Sequence, residues 1–317
     1  MSTHILAVVP ADWHGVRRAL SCYATHFSTP ERAISTIDAL HPATVIFGCY
    51  QREWYTIVSH ARFHRARCVV AWFASSILNE FDTRNREWLY ASLYSIRRGQ
   101  IHELAVPHGG IASFWREEGL PARDLPLAFT APTVTTTPTS DHVHLGLFGS
   151  GQPWKNAETQ ALAAQILHRR HKNVMLHVQS DHAVRAAQRF FDIPMTVHRD
   201  IVSDDEYYRL IGSMHVNLIV SLSETYSYLG AESLSLGAPI LTTPITPILA
   251  SAPPELRAAS VLDVFDDPLA IADRVEYILE HRPAISEWGQ AHIHAFNDVE
   301  QAKVAKVRDE WMLPLSS

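Results

Sequence analysis

Two glutamates eight residues apart stand where a predicted strand gives way to a predicted helix. The apolar run Val216–Val220 predicts the strand, Glu224 lies in the loop after it, and Glu232 lies about one turn into the following helix. The first N–H groups of a helix attract anions, including a diphosphate. Glu232 could then accept hydrogen bonds from a ribose diol and Glu224 from sugar hydroxyls, although two solvated glutamates are the alternative. The amides that would hold the anion are those of Tyr226, Ser227 and Tyr228.

A second segment, Leu145–Asn156, joins a predicted strand to a predicted helix through a glycine-containing loop. Gly149 and Gly151 permit close approach of the backbone to a ligand, and Lys155 is a point charge suited to a phosphate. Asn156 could cap the helix. The Gly-Lys-Ser/Thr ending of a Walker A loop and the third glycine of a dinucleotide fingerprint are both missing. A plain tight turn is the alternative.

The elements that would position these residues alternate between strands and helices, which predicts βαβ units and parallel sheets. The predicted strands are Ile5–Val9, Ala43–Gly48, Cys68–Trp72, His144–Phe148, Val174–Val178, Val216–Val220 and Pro239–Thr242. The predicted helices include Asn156–His168, Asp204–Ile211 and Tyr228–Leu236. Because ligands bind beyond the carboxyl ends of parallel strands, we expect an α/β protein of two Rossmann-like domains facing a central cleft.

The domain boundary is predicted in the segment Thr130–Asp141, which is rich in Thr and Pro and lacks helical periodicity. We therefore expect an N-terminal domain over residues 1–135 and a C-terminal, ligand-binding domain over residues 141–285. Residues 286–317 have a helical pattern and are expected to pack back on the N-terminal domain.

Composition excludes several classes of function. The 317 residues are 47% hydrophobic and 19% charged, and no apolar run is long enough for a membrane helix, so a cytoplasmic protein without membrane insertion is expected. The 3 cysteines fit neither a disulfide framework nor a zinc motif. The 19 histidines show no His-x3-His pair with a carboxylate on the same predicted helix, so no metal is expected. The net charge of −6 argues against broad nucleic-acid binding but leaves room for a local basic groove.

The run from Glu224 to Pro239 resembles, without a gap, the donor-binding segment of GT-B glycosyltransferases of the family-4 type, which carries a Glu-x7-Glu pattern. The segment from Gly149 to Lys155 resembles the phosphate loop of the same family. Asp204–His215 resembles its helix leading into the next strand, and His102–Phe114 through Pro126 resembles the end of its first domain. Two positions depart from the family pattern. Ser150 stands where a second cation is common, and Phe73 stands where a histidine touches the donor sugar.

The resemblance implies a retaining, metal-independent hexosyltransferase that uses a nucleotide sugar, a UDP-sugar being the expected donor, and needs no other cofactor. Lys155 and the helix-start amides would stabilise the leaving diphosphate, Glu224 would orient the sugar, and Glu232 would bind the ribose. Arg199 could read the nucleotide or could be an ordinary surface residue. The donor-binding set is Gly15, Gly149, Ser150, Lys155, Arg199, Tyr226, Ser227, Tyr228 and Glu232, and the catalytic set is Lys155, Glu224, His14 and Asp12.

The loop Pro10–Gly15 follows the first strand, so it should lie at the carboxyl edge of the N-terminal sheet. Gly15 would let the backbone approach a substrate, and Asp12 or His14 could contact an acceptor hydroxyl. His108, before two glycines, is a second candidate base. A structural or solvated histidine is the alternative for both.

Three functions stay open, two of which differ in the acceptor and one of which has no acceptor. A modified base in duplex DNA, as in bacteriophage glycosyltransferases with this fold, fits the basic runs at Arg62–Arg67 and Arg97–Arg98, which lie among aromatic residues. A cell-envelope glycan or lipid is the second reading. A nucleotide-sugar-binding module without catalysis is the third. The oligomeric state is not indicated.

Overall fold

The computed structural model describes residues 3–74, 82–136, 142–149, 152–179, 192–199 and 203–313. The chain divides into two compact units. The first unit comprises Met1–Ala128 together with Asn297–Ser317, and the second comprises Phe129–Phe296. Residues 130–136, in the predicted linker, contain neither helix nor strand.

The first unit is built on six parallel strands in the order β2-β1-β3-β4-β5-β6. They are β1 (Ile5–Val8), β2 (His26–Ser28), β3 (Thr44–Gly48), β4 (Arg67–Ala71), β5 (Glu103–Val106) and β6 (Ala122–Asp124). The helices between them are α1 (His14–Leu20), α2 (Ala33–Leu40), α3 (Tyr55–Phe63), α4 (Thr83–Arg97) and α5 (Gly109–Glu117). All four residues of β1 are fully buried, as expected for a parallel strand covered on both faces.

The second unit is built on five parallel strands in the order β11-β10-β7-β8-β9. They are β7 (Val143–Leu147), β8 (Val174–Val178), β9 (Met195–Val197), β10 (Val216–Ile219) and β11 (Ile240–Thr242). The helices are α6 (Ala157–His171), α7 (Asp204–Gly212), α8 (Tyr228–Ser235), α9 (Pro254–Ser260), α10 (Pro268–Glu280) and α11 (Arg282–Met312). The predicted α/β class with two parallel sheets is confirmed.

The end of α11 is anchored in the first unit by the buried Trp311. Its indole N–H donates to Glu103 Oε1 at 3.0 Å, and its carbonyl accepts from Thr44 Oγ1 at 2.5 Å. Arg123 Nε lies 2.7 Å from Glu103, and Arg123 Nη1 lies 2.8 Å from Glu310, which ties the same helix end to β6. A buried aromatic side chain with a satisfied N–H contributes both apolar area and a specific orientation.

Histidines form a hydrogen-bonded row across the second sheet. His144 Nδ1 lies 2.7 Å from His177 Nε2, and His177 Nδ1 lies 2.9 Å from His198 Nε2. The backbone N–H of His144 donates to His215 Nδ1 at 3.1 Å. Burial lowers the pKa of His177 to about 4, with the neighbouring histidines acting in the same direction, and burial also lowers the pKa of His215 to about 4. His177 and His215 are therefore neutral near pH 7.

No helix among the described residues is both long enough and apolar enough to cross a membrane.

Candidate ligand-binding site

A cavity of about 180 Å³ opens in the second unit where β7 and β10 end. Leu147, Phe148 and Gly149 contribute to it from the end of β7, and Leu218 and Ile219 from the end of β10. This is the edge at which ligands bind in parallel sheets. The polar residues that line it are Lys155, Gln160, Ser221, Glu224, Ser227 and Tyr228.

An ion pair between Lys155 and Glu224 lies in this cavity. Lys155 belongs to the short 3₁₀ turn Pro153–Lys155, and its Nζ lies 2.5 Å from Glu224 Oε1. The same carboxylate oxygen accepts a hydrogen bond from Ser221 Oγ at 3.1 Å. The side chains of Lys155 and Glu224 are 21% and 9% exposed, so the pair is largely shielded from water. The structure therefore brings together a cation and an acid that sequence reasoning assigned separately.

Gln160, on α6, positions the lysine and was missed by the sequence analysis. Its Nε2 donates to the carbonyls of Lys155 and Asn156 at 2.8 and 3.1 Å, and its Oε1 accepts the backbone N–H of Val220 at 2.8 Å. It is 1% exposed, and its amide joins the lysine turn to the end of β10. A signal existed, because Gln160 is a polar residue beside buried alanines on a helix that packs against the sheet.

The start of α8 forms another wall of the cavity. Ser227 is its N-cap residue, with a left-handed backbone (φ 70°), and its Oγ accepts the N–H of Gly230. A Cβ on Gly230 would lie 2.9 Å from Ile248 Cδ1 and 3.0 Å from Ser227 Oγ, so glycine lets the helix start pack closely. Because the first N–H groups of a helix lack intrahelical partners, this wall is suited to an anion.

The other predicted donor-binding residues of this unit occupy different surroundings. Glu232 is fully buried within α8, Tyr226 is 5% exposed, and neither is among the described residues lining the cavity. Arg199 follows β9 and does not line the cavity either. Ser150 lies outside the described residues. The assignment of Glu232 to a ribose and of Arg199 to a base stays a prediction.

Two details of the glycine loop differ from expectation. Asn156 occupies the N-cap position of α6, but its side chain makes no capping hydrogen bond. Its backbone is left-handed (φ 52°), and its Nδ2 donates to Phe265 O at 2.6 Å instead. A Cβ on Gly149 would meet Lys155 Cβ at 3.6 Å, which is ordinary contact, so the protein itself does not require glycine there.

The predicted residues of the N-terminal loop lie in the first unit. Asp12 is exposed and lines a separate cavity of about 630 Å³, together with Cys49 and Phe73 from the ends of β3 and β4. His14 and Gly15 begin α1 and are exposed. A Cβ on Gly15 would meet no protein atom within 4 Å. These residues therefore stand at the carboxyl edge of the first sheet.

His108 also stands at this edge, between β5 and α5. It occupies the N-cap position of α5, and its Nε2 has no hydrogen-bond partner among the described atoms. Burial lowers the pKa of this imidazole, so it is neutral near pH 7 and able to accept a proton.

The two parallel α/β units are those of the GT-B fold. HepE from Anabaena, solved in complex with UDP-glucose, is similar at a TM-score of 0.70 and 10% identity over 96% of this chain and 99% of that one. Sucrose-phosphate synthase from Thermosynechococcus elongatus is similar at a TM-score of 0.68 and 13% identity over 89% and 76% of the two chains. An α,α-trehalose-phosphate synthase (UDP-forming) from Burkholderia vietnamiensis is similar at a TM-score of 0.64 and 9% identity over 91% and 75%.

No family model and no curated protein matches the sequence. At these identities the similarity establishes the fold.

Proposed function

We propose that this chain is a retaining glycosyltransferase that takes a UDP-sugar in the cavity of the second unit. The observation that carries the proposal is the Lys155–Glu224 ion pair. It lines the same cavity as the start of α8, at the carboxyl ends of parallel strands. The names of the similar structures support the choice of nucleotide, since one is a UDP-glucose complex and another is a UDP-forming synthase.

The pair suggests how the donor would be received. A diphosphate carries more negative charge than one carboxylate, so it would compete with Glu224 for the ammonium group of Lys155. Once released, Glu224 could accept hydrogen bonds from the sugar hydroxyls. Lys155 would then stand beside the leaving diphosphate as the bond between the anomeric carbon and the phosphate oxygen breaks. Preorganised charge at that point stabilises the transition state more than the ground state.

Thermal shift with UDP, UDP-glucose and their GDP and ADP counterparts tests the donor site, because a ligand that binds only the native state raises the melting temperature. We expect a shift with the UDP compounds and its loss in Lys155→Met. Lys303→Met is the matched control, since Lys303 forms an ion pair of similar length with Glu300 outside the cavity, at 2.6 Å. If no nucleotide sugar shifts the melting temperature, or if Lys155→Met responds like the wild type, the donor assignment fails.

Turnover separates a transferase from a binding module. A transferase should hydrolyse its donor slowly without an acceptor, whereas a binding module should raise the melting temperature and release no sugar. If His14 is the base for the acceptor hydroxyl, His14→Gln should lower turnover more than donor binding. Unchanged turnover in His14→Gln, with a loss in His108→Gln, would transfer that role to the second histidine.

For the acceptor we infer duplex DNA with a modified base. A groove of about 950 Å³ in the first unit presents three tyrosines, Tyr55, Tyr90 and Tyr94, which are 49%, 62% and 58% exposed. The guanidinium of Arg98 lies over the Tyr94 ring at 5.1 Å and lines the same groove. Aromatic faces can stack with bases and a cation can neutralise a phosphate, whereas Glu53 and Glu87, which line the same groove, are acidic.

A gel shift with hydroxymethylated duplex DNA at rising salt tests this acceptor. Binding that weakens with salt, and that weakens further in Arg98→Ala, supports DNA. No shift, together with transfer to a free glycan, would support the envelope acceptor.

A further inference from the structure

Three histidines and an aspartate cluster on the surface of the first unit, and one of them, His64, lies within the basic run Arg62–Arg67. His60 Nε2 lies 2.8 Å from Asp38 Oδ1, and His64 Nε2 lies 3.1 Å from the same oxygen. His41 Nδ1 lies 3.1 Å from His64 Nδ1.

Two neighbouring helices bring these side chains together. His60 lies in the last turn of α3 and His64 directly follows this helix, so the two share one helix face at a spacing of four residues. Asp38 lies in the last turn of α2, and His41 directly follows it. A carboxylate on the same helix as the histidines was expected for a metal site, whereas α2 supplies it here.

We propose that Asp38, His60 and His64 bind one divalent transition metal ion, such as Zn²⁺. The three candidate ligand atoms lie within 4.8 Å of one another. A tetrahedral zinc ion with bonds of about 2.0–2.1 Å needs neighbouring ligand atoms about 3.3 Å apart. Two of the three separations, 2.8 and 3.1 Å from Asp38 Oδ1, need to lengthen by only about 0.5 Å or less to reach that value, and the two histidine ligand atoms lie within 4.8 Å of each other.

His41 would act as the outer partner of this site. An imidazole that binds a metal through Nε2 carries its proton on Nδ1, and His64 Nδ1 already faces His41 Nδ1. A hydrogen bond from His64 to His41 would fix the tautomer that leaves Nε2 of His64 available for the ion. Three protein ligands leave one tetrahedral position for water.

The position of the cluster indicates a stabilising role. In a βαβ unit the helix runs back towards the edge of the sheet at which the next strand begins. The ends of α2 and α3 therefore lie near the starts of β3 and β4, whereas Asp12 and the cavity that it lines lie at the opposite, carboxyl edge. An ion bound here would join α2 to α3 and would be dispensable for donor binding, because the residues of the donor cavity belong to the second unit.

Calorimetric titration of chelator-treated protein with Zn²⁺, and with Co²⁺ to read the coordination from its visible absorption, tests the proposal. We expect one equivalent to bind and the melting temperature to rise by about 5 °C or more at saturation. His64→Ala should abolish this binding, and His41→Ala should weaken it about tenfold. The Asp38→Asn variant can still accept hydrogen bonds, so it should melt normally in chelator yet bind metal far more weakly.

The matched control is His26→Ala, which breaks another histidine pair of the same unit, His4 with His26, whose ring centroids lie 4.8 Å apart. It should bind zinc like the wild type. The proposal is overturned if saturable binding is absent, or if His64→Ala and Asp38→Asn bind as tightly as the wild type does.

Discussion

Acidification should destabilise the second unit through the buried histidine row, and His177 allows the size of the effect to be calculated. This residue is 8% exposed and is hydrogen-bonded on both ring nitrogens, so one nitrogen of the neutral ring must accept. Protonation would turn that acceptor into a donor in a site with little water. Burial accordingly lowers the pKa from 6.5 to about 4 in the folded protein.

The direction in which the free energy of unfolding changes with pH depends on whether the folded or the unfolded chain binds the proton. Between pH 4 and 6.5 the unfolded chain binds a proton at this histidine and the folded protein does not, so the free energy of unfolding falls as the pH falls. The contribution is complete above pH 6.5 and is lost progressively down to the folded-state pKa. Each pKa unit is worth about 1.4 kcal/mol, and the loss from pH 8 to pH 5 is about 2 kcal/mol from His177 alone.

Urea unfolding of the wild type and of His177→Gln at a series of pH values measures this term. Glutamine keeps a donor and an acceptor but does not titrate, so the variant should lose about 2 kcal/mol less than the wild type between pH 8 and pH 5. His281→Gln, at an exposed position in the same unit, should follow the wild type. Parallel curves for the wild type and His177→Gln would refute the calculation.

Three further predictions concern the residues of the cavity and the strand β7 beside it. Gln160→Ala should cost about 1–3 kcal/mol of stability, seen in urea unfolding, because it strands a buried backbone N–H, and it should also weaken UDP binding by releasing the lysine turn. Gly146→Ala should destabilise by about 1–3 kcal/mol in the same assay, because the new Cβ would lie 2.1 Å from Asn217 Oδ1. Glu224→Gln should bind UDP more tightly by calorimetry while turning over less donor, because Lys155 no longer exchanges a carboxylate for the diphosphate; weaker UDP binding would contradict the exchange.

The strands that hold the site were predictable because their signal is local. Val174–Val178 agrees with its prediction at both ends, and β10 ends one residue before the predicted end. Each is a short apolar run, as a strand covered on both faces must be. Among the strands outside the predicted set, β2, β6 and β9 are three residues long, which is too short for a periodic pattern.

The contacts within the site were harder to predict from the sequence, since they join segments far apart in the chain. Lys155 and Glu224 were each predicted from local context, but their ion pair spans 69 residues and depends on β7 and β10 being neighbours in the sheet. Asn156 has the residue type of a helix cap, and its side chain bonds to Phe265 instead because its backbone is left-handed. Gln160 could have been noticed as a polar residue at a buried helical position.

The chemical groups of the cavity lie in three separate segments that follow strands of one sheet. Each segment can therefore be changed by itself to test the function. The cation comes from the turn after β7, the acid from the loop after β10, and the wall proposed to bind the diphosphate from the start of α8. Every described residue that lines the cavity belongs to the second unit, whereas the groove that presents Tyr55, Tyr90 and Tyr94 belongs to the first. Substitutions at Lys155 should therefore change nucleotide binding without changing DNA binding, and those at Arg98 should do the reverse. If a substitution in either place weakened both nucleotide binding and DNA binding, the two surfaces would be energetically coupled. Neither site requires such coupling by itself.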